Sequence, residues 1–121
     1  MENIRRLGFA GLMLAKYGIF SILCAINPYE ESRIALKKSS PLTRTVYIEC
    51  PINVIKQRDP KGLYRRALLP EGHPDHIKHC TGINDPYELP VYPDLKIQTQ
   101  TETREQSAKI LTDYIIKIIS E

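Results

Sequence analysis

Nine consecutive residues, Arg58-Asp59-Pro60-Lys61-Gly62-Leu63-Tyr64-Arg65-Arg66, set four cations beside a glycine. A stretch of this kind is equipped for anions. Arginine offers phosphate or sulfate oxygens a planar fork, lysine a compact point charge, and glycine lets the backbone come close. The same composition also describes a solvated, basic helix end, and spacing alone does not separate the two. Thr81-Gly82-Ile83-Asn84-Asp85-Pro86-Tyr87-Glu88 is rich in turn formers and closes the loop that the basic stretch opens. Two such segments bracketing one loop are what a flexible lid over a nucleotide needs. Between them, His73, His76 and His79 recur every third residue, with Cys80 beside the last. Imidazole nitrogens in that series can recruit zinc. A helix would spread the outer two by roughly 120°, and Pro74 disfavours a helix, so a solvated histidine-rich loop is the other reading.

These residues must be positioned by the elements around them. Ile4, Leu7, Met13, Leu14 and Tyr17 recur at helical spacing, and Gly18 is placed to end that helix at C′. Ile19 to Ile26 is a continuous apolar run, the pattern of a strand buried on both faces of a parallel sheet. Asn27-Pro28 ends it, and Glu30 to Lys38 reads as a short polar helix. Thr45 to Cys50 is rich in β-branched and aromatic residues and predicts a second strand. Pro51 suits the first turn of the helix that carries Val54 and Ile55. Residues 59–94 hold most of the prolines and all three histidines, which predicts a long lid-like loop. Leu95 to Thr99 predicts a third strand. Thr103 to Gln106 fits a capping box ahead of a helix whose inner face is Ala108, Leu111, Ile115 and Ile118. Alternation of strand and helix makes the fold class α/β with a parallel sheet.

The chain of 121 residues suffices for one domain, residues 1–121. A net charge of +3 is too small to argue for nucleic acid but suits a site for small phosphorylated anions. Cys24, Cys50 and Cys80 are few, odd in number and far apart, which favours a reducing cytoplasm over a disulfide framework. The apolar run from Leu7 to Ile26 behind Arg5-Arg6 imitates a membrane anchor. Lys16 near its middle would cost about 2.5–3.5 kcal/mol in a spanning helix, and Tyr17, Gly18 and Ser21 interrupt it further, so no membrane segment is expected.

Asn3-Ile4-Arg5-Arg6, Ile26-Asn27-Pro28-Tyr29, Arg58-Asp59-Pro60-Lys61-Gly62-Leu63-Tyr64 and Thr81-Gly82-Ile83-Asn84-Asp85-Pro86-Tyr87-Glu88 occur in the order of the adenylyl-sulfate kinases. Pro90, Pro93 and Thr99 continue the match, and essentially the whole chain resembles that family. The resemblance implies a P-loop kinase fold and transfer of the γ-phosphate of ATP, with magnesium, to the 3′-hydroxyl of adenosine 5′-phosphosulfate. It implies that Asn3 and Lys61 bind substrate, that Ile26 and Asn27 lie against it, and that Arg58 is a lid arginine near the nucleotide phosphates. His79 and Cys80 stand where the family has a substrate-contacting glycine and phenylalanine. The partners implied by the family are a second identical chain, an intact kinase or a sulfurylase subunit.

The departures are equally specific. None of the six glycines is followed by lysine, so no Gly-x-x-x-x-Gly-Lys-[Ser/Thr] is present. That loop supplies the amide cradle, the phosphate-binding lysine and a magnesium hydroxyl. The family's Asp-Gly-Asp-Asn-x-Arg segment is absent as well, Asn27 occupies the family's serine position, and no catalytic residue is assigned. The segment between Tyr64 and Ile77 is about five residues longer than the resemblance leads one to expect. The expected architecture is therefore a partial P-loop kinase-type α/β domain: a parallel sheet flanked by helices, without its first strand and phosphate-binding loop. Three origins fit: a fragment or mis-started reading frame, which is the expectation; a degenerate homologue that binds adenine nucleotide without turnover; or a non-catalytic partner of an intact kinase.

Overall fold

A computed structural model describes residues 2–121. The chain divides into two compact units, one running up to Thr45 and including Glu88–Tyr92, the other made of Val46–Tyr87 and Pro93–Glu121.

The first unit opens with α1, Glu2–Lys16. Glu2 sits in its first turn, where the helix dipole favours an acid, and pairs with Arg5 at 2.7 Å and Arg6 at 3.1 Å. The helix ends as the sequence predicts. Gly18 adopts φ 73°, its N–H donates to Ala15 O and that of Ile19 to Leu14 O, which is a Schellman closure. The expected strand over Ile19 to Ile26 does not form: residues 19–29 carry no regular structure. Apolar continuity supplies a sheet-facing surface but not a ladder partner, and among the described residues the sheet holds two strands from the other unit. Ile22 and Ile26 stay 62% and 68% exposed. The helix expected from Glu30 follows as α2, Glu30–Ser39, with Glu30 and Glu31 in its first turn and Lys37 and Lys38 in its last. It packs on α1 where Gly8 has no Cβ to displace Leu36.

In the second unit, β1 (Val46–Glu49) and β2 (Leu95–Gln98) pair in parallel, Val46 opposite Leu95 and Ile48 opposite Ile97. Two strands, not three, thus make the sheet among the described residues. Helix α3, Ile52–Arg58, follows β1, with Pro51 one position before it and the Pro51 carbonyl accepting from the amides of Val54 and Ile55. The predicted lid loop contains a further short helix, α4, Leu63–Ala67. Helix α5, Arg104–Ser120, begins with the expected capping box between Thr103 and Gln106 and packs on β2. Its half-buried face is Ile110, Leu111, Tyr114, Ile115 and Ile118; Ala108 is exposed, one position off the stripe. Ile97 at 1% exposure and Ala67 at 5% are the buried apolar residues of this unit.

No described helix is long and apolar enough to cross a membrane.

Candidate functional site

The basic stretch folds around one carboxylate. Asp59 follows the last residue of α3, and Gly62 donates its N–H back to Asp59 O at 3.0 Å with φ 65°, a value that favours glycine. The Asp59 carboxylate accepts from the amides of Tyr64 at 3.2 Å and Arg65 at 2.9 Å. The Arg65 amide is the chief reason its carboxyl lies below the ordinary aspartate range, with the Tyr64 and Leu63 amides adding to it. Lys56, Lys61 and Arg65 line one open concavity of about 640 Å³ with Asp59, Gly62 and Tyr64. The charge of Arg65 also helps to hold the Asp59 carboxyl down. The arrangement is suited to a small polyanion.

Arg58 turns elsewhere. Its Nη2 donates to Thr99 O at 2.8 Å and its Nη1 approaches Cys50 Sγ at 3.8 Å. The fork therefore ties the end of α3 to the chain just beyond β2, where Thr99 N–H and Oγ1 both donate to Glu49 O at 3.0 Å.

The second lid motif is a closed turn. Cys80 O accepts from the amides of Ile83, Asn84 and Asp85, and the Cys80 amide donates to Asn84 Oδ1 at 2.7 Å. Gly82, at φ 84°, donates to Asp85 O. Burial is the main cause pushing the Cys80 thiol up, followed by the charges of Asp59 and Asp85. Burial likewise raises the Tyr64 hydroxyl, with Cys80, Asp59 and Cys50 contributing. His79 is exposed, with Nδ1 3.3 Å from Asp85 Oδ1. His73 Nδ1 accepts from the Asp75 amide, and His76 Nδ1 is buried without a hydrogen-bond partner. The three histidines therefore face different neighbours, and no group of three His, Cys, Asp or Glu residues gathers as a metal site among the described residues.

The remaining sequence-derived positions belong to the first unit. Asn3 is exposed in the first turn of α1, Ile26 is exposed, and Asn27 is half-buried. The Asn27 carbonyl accepts from Arg33 Nη1 at 2.5 Å, while its side-chain Oδ1 is buried and unpartnered. Thus Lys61, Arg58, His79 and Cys80 lie in one unit and Asn3, Ile26 and Asn27 in the other. Sequence reasoning missed Arg33 and the part played by Glu88. Arg33 is 5% exposed and joins Asn27 to Glu88. The one sequence signal was Glu30 at i−3, an arrangement common on solvated helix faces.

The profile of the adenylylsulphate kinase family matches residues 1–98. An adenylyl-sulfate kinase of Chloroflexus aurantiacus is 44% identical over 97 residues, covering 80% of this chain and 50% of that protein. One of Deinococcus deserti is 38% identical over 113 residues, 93% of this chain and 60% of its own. A Sorangium cellulosum protein named probable bifunctional SAT/APS kinase 2 is 42% identical over 110 residues, 90% of this chain and 18% of its own. The chain spans about half to three-fifths of the length of the two single-function relatives.

Proposed function

Because the chain belongs to the adenylyl-sulfate kinase family, we propose that it acts in the ATP-dependent phosphorylation of adenosine 5′-phosphosulfate at the 3′-hydroxyl. Its own residues supply the substrate-facing and lid portions of that site. The observation that carries this reading is the Asp59 turn. It fixes the loop through backbone amides and leaves Lys61, with Lys56 and Arg65, lining an open concavity. Charge-assisted contacts to phosphate or sulfate are the strong class of hydrogen bond. Asn3, Ile26 and Asn27 are assigned to the substrate on the family pattern, and His79 and Cys80 to the adenine side of the lid; Arg58 is assigned to the nucleotide phosphates on the family pattern alone, since its fork is held by Thr99 O and Cys50 Sγ.

The residues present do not fit a magnesium triphosphate. The sequence has no glycine followed by lysine, and no trio of His, Cys, Asp or Glu side chains gathers among the described residues. When bound, ATP with magnesium would supply the transferable phosphoryl group and neutralise its charge. No step through that group is assigned to residues of this chain. Binding without turnover by these 121 residues is accordingly the second reading. The proposed compartment is the cytoplasm. The proposed partner is a second copy, an intact kinase or a sulfurylase-type subunit, in line with the two-function name of the Sorangium relative.

Calorimetric titration of adenosine 5′-phosphosulfate into wild type and Lys61→Ala tests the reading. An affinity lower by about tenfold or more is expected, from the loss of one charged contact worth about 1.5–3 kcal/mol. Equal affinities would return the basic stretch to solvated surface. The chain alone is expected to yield no 3′-phosphorylated product, and turnover resolved chromatographically would refute the second reading.

A further inference from the structure

Burying an arginine is costly unless each lobe of its guanidinium finds a partner. Arg33 is 5% exposed, and its partners include main-chain carbonyls from two separate segments and one carboxylate. Nη1 donates to Asn27 O and Nη2 to Glu88 O, each at 2.5 Å, while Nε donates to Glu30 Oε2 at 2.6 Å. Glu88 is held on two further sides: its amide donates to Pro28 O at 2.8 Å, and its Oε2 accepts from the Glu30 amide at 2.7 Å. The Glu88 carboxylate thereby caps α2, whose own N-cap residue Tyr29 makes no side-chain cap. The Asn27-Pro28 main chain and Glu88 are thus joined through three guanidinium bonds of Arg33, the Glu88 amide to Pro28 O and the Glu88 carboxylate on the Glu30 amide.

The residue at the centre of this tie carries an anomaly. Asn27 Oδ1 is buried with no partner among the described residues. An unsatisfied acceptor calls for a reason in a native structure. Here the backbone on its own residue is clamped by Arg33, so the carboxamide is not free to swing toward a partner by moving the main chain.

We infer that Arg33 is a positioning residue: its fork fixes the main chain of Asn27 and of Glu88, and so holds in place the asparagine that the family pattern assigns to the substrate. The inference rests on the proposed adenylyl-sulfate site. It does not require Arg33 to touch substrate. A lysine at this position keeps the charge but cannot span both carbonyls with a rigid fork, so charge alone should not rescue the tie.

Hydrogen exchange and calorimetry on the full chain decide it, with wild type, Arg33→Lys, Arg33→Met, Asn27→Ala and the Arg33→Met/Asn27→Ala double variant. The amides of Glu30 and Glu88 are expected to exchange about tenfold faster or more in both Arg33 variants, while amides of the β1–β2 pair keep their wild-type protection. Affinity for adenosine 5′-phosphosulfate is expected to fall about tenfold in each single variant. The double variant should bind no worse than the weaker single, because both changes remove one arrangement. Full additivity, full rescue by Arg33→Lys, or unchanged exchange at Glu88 would each overturn the inference. If wild type does not bind adenosine 5′-phosphosulfate at all, the proposed function fails and the substrate half of this inference fails with it. The exchange arm then still decides whether Arg33 sets the two backbones.

Discussion

Replacing Ile22 and Ile26 together by lysine should reduce self-association of the chain without lowering its thermal midpoint. Ile19, Phe20, Ile22, Leu23 and Ile26 are between 46% and 68% exposed, in a stretch without regular structure and with no strand partner among the described residues. Fully burying such a side chain is worth about 1.5–3 kcal/mol, so five of them at roughly half exposure leave about 4–8 kcal/mol of apolar burial untaken. That is comparable with the whole net stability of an ordinary domain, about 5–15 kcal/mol. A run this apolar also carries almost no charge to keep another chain's edge away. The wild-type chain is therefore expected to associate through this stretch, or to need another chain over it. The two isoleucines at 62% and 68% exposure have little intramolecular packing to lose, and surface changes of that kind usually stay within about 0.5 kcal/mol. Light scattering over a concentration series, paired with thermal unfolding followed by circular dichroism, reads both quantities. A monodisperse wild-type monomer would refute the reasoning, as would a double variant that melts earlier by more than a few degrees.

The other expected outcomes are local. Ile97→Ala, at the 1% exposed centre of β2, should cost about 2–5 kcal/mol, whereas the same change at its register partner Ile48, 56% exposed, should cost about 0.5 kcal/mol or less; denaturant midpoints compare the two. Because Asp59 has a depressed carboxyl pKa, caused first by the Arg65 amide, its contribution to the lid turn is full above the unfolded aspartate value of about 3.9 and is lost as pH falls through the lower folded value. Exchange at the Tyr64 and Arg65 amides should therefore rise, after correction for intrinsic rates, only below about pH 4 in wild type, but at neutral pH in Asp59→Ala; identical protection in the two proteins at pH 7 would be contrary. Thr103→Ala removes one half of the capping box and should lower stability by about 1 kcal/mol, read as a shifted midpoint of α5 helicity.

Several elements were legible without coordinates because their causes are local. The Gly18 stop of α1 and the Thr103–Gln106 box of α5 depend on residues within one turn, and both formed as read. The strand Val46–Glu49 announced itself by β-branched and aromatic composition, and Leu95–Gln98 lies within the expected third strand. The lid motifs were visible as segments, since Asp59, Gly62 and Gly82 are turn chemistry. What the sequence determined by itself is therefore the family, the helix ends and the cation-rich loop.

The tertiary structure decided the rest, for a common physical reason: those features depend on groups distant in sequence. Ile19 to Ile26 has the composition of a buried strand, yet a strand exists only where a neighbour supplies the ladder, and none does among the described residues. Lys61 and Arg58 are equal members of one basic stretch, but Lys61 lines the concavity while Thr99 and Cys50 draw Arg58 away. His73, His76 and His79 are equally spaced, yet His73 accepts from the Asp75 amide, His79 lies beside Asp85, and no group of three metal-ligating residues forms among the described residues. Arg33 looked like half of a surface pair with Glu30. Only folding, by bringing the Glu88 carbonyl to the same guanidinium as the Asn27 carbonyl, made it the buried tie between two motifs.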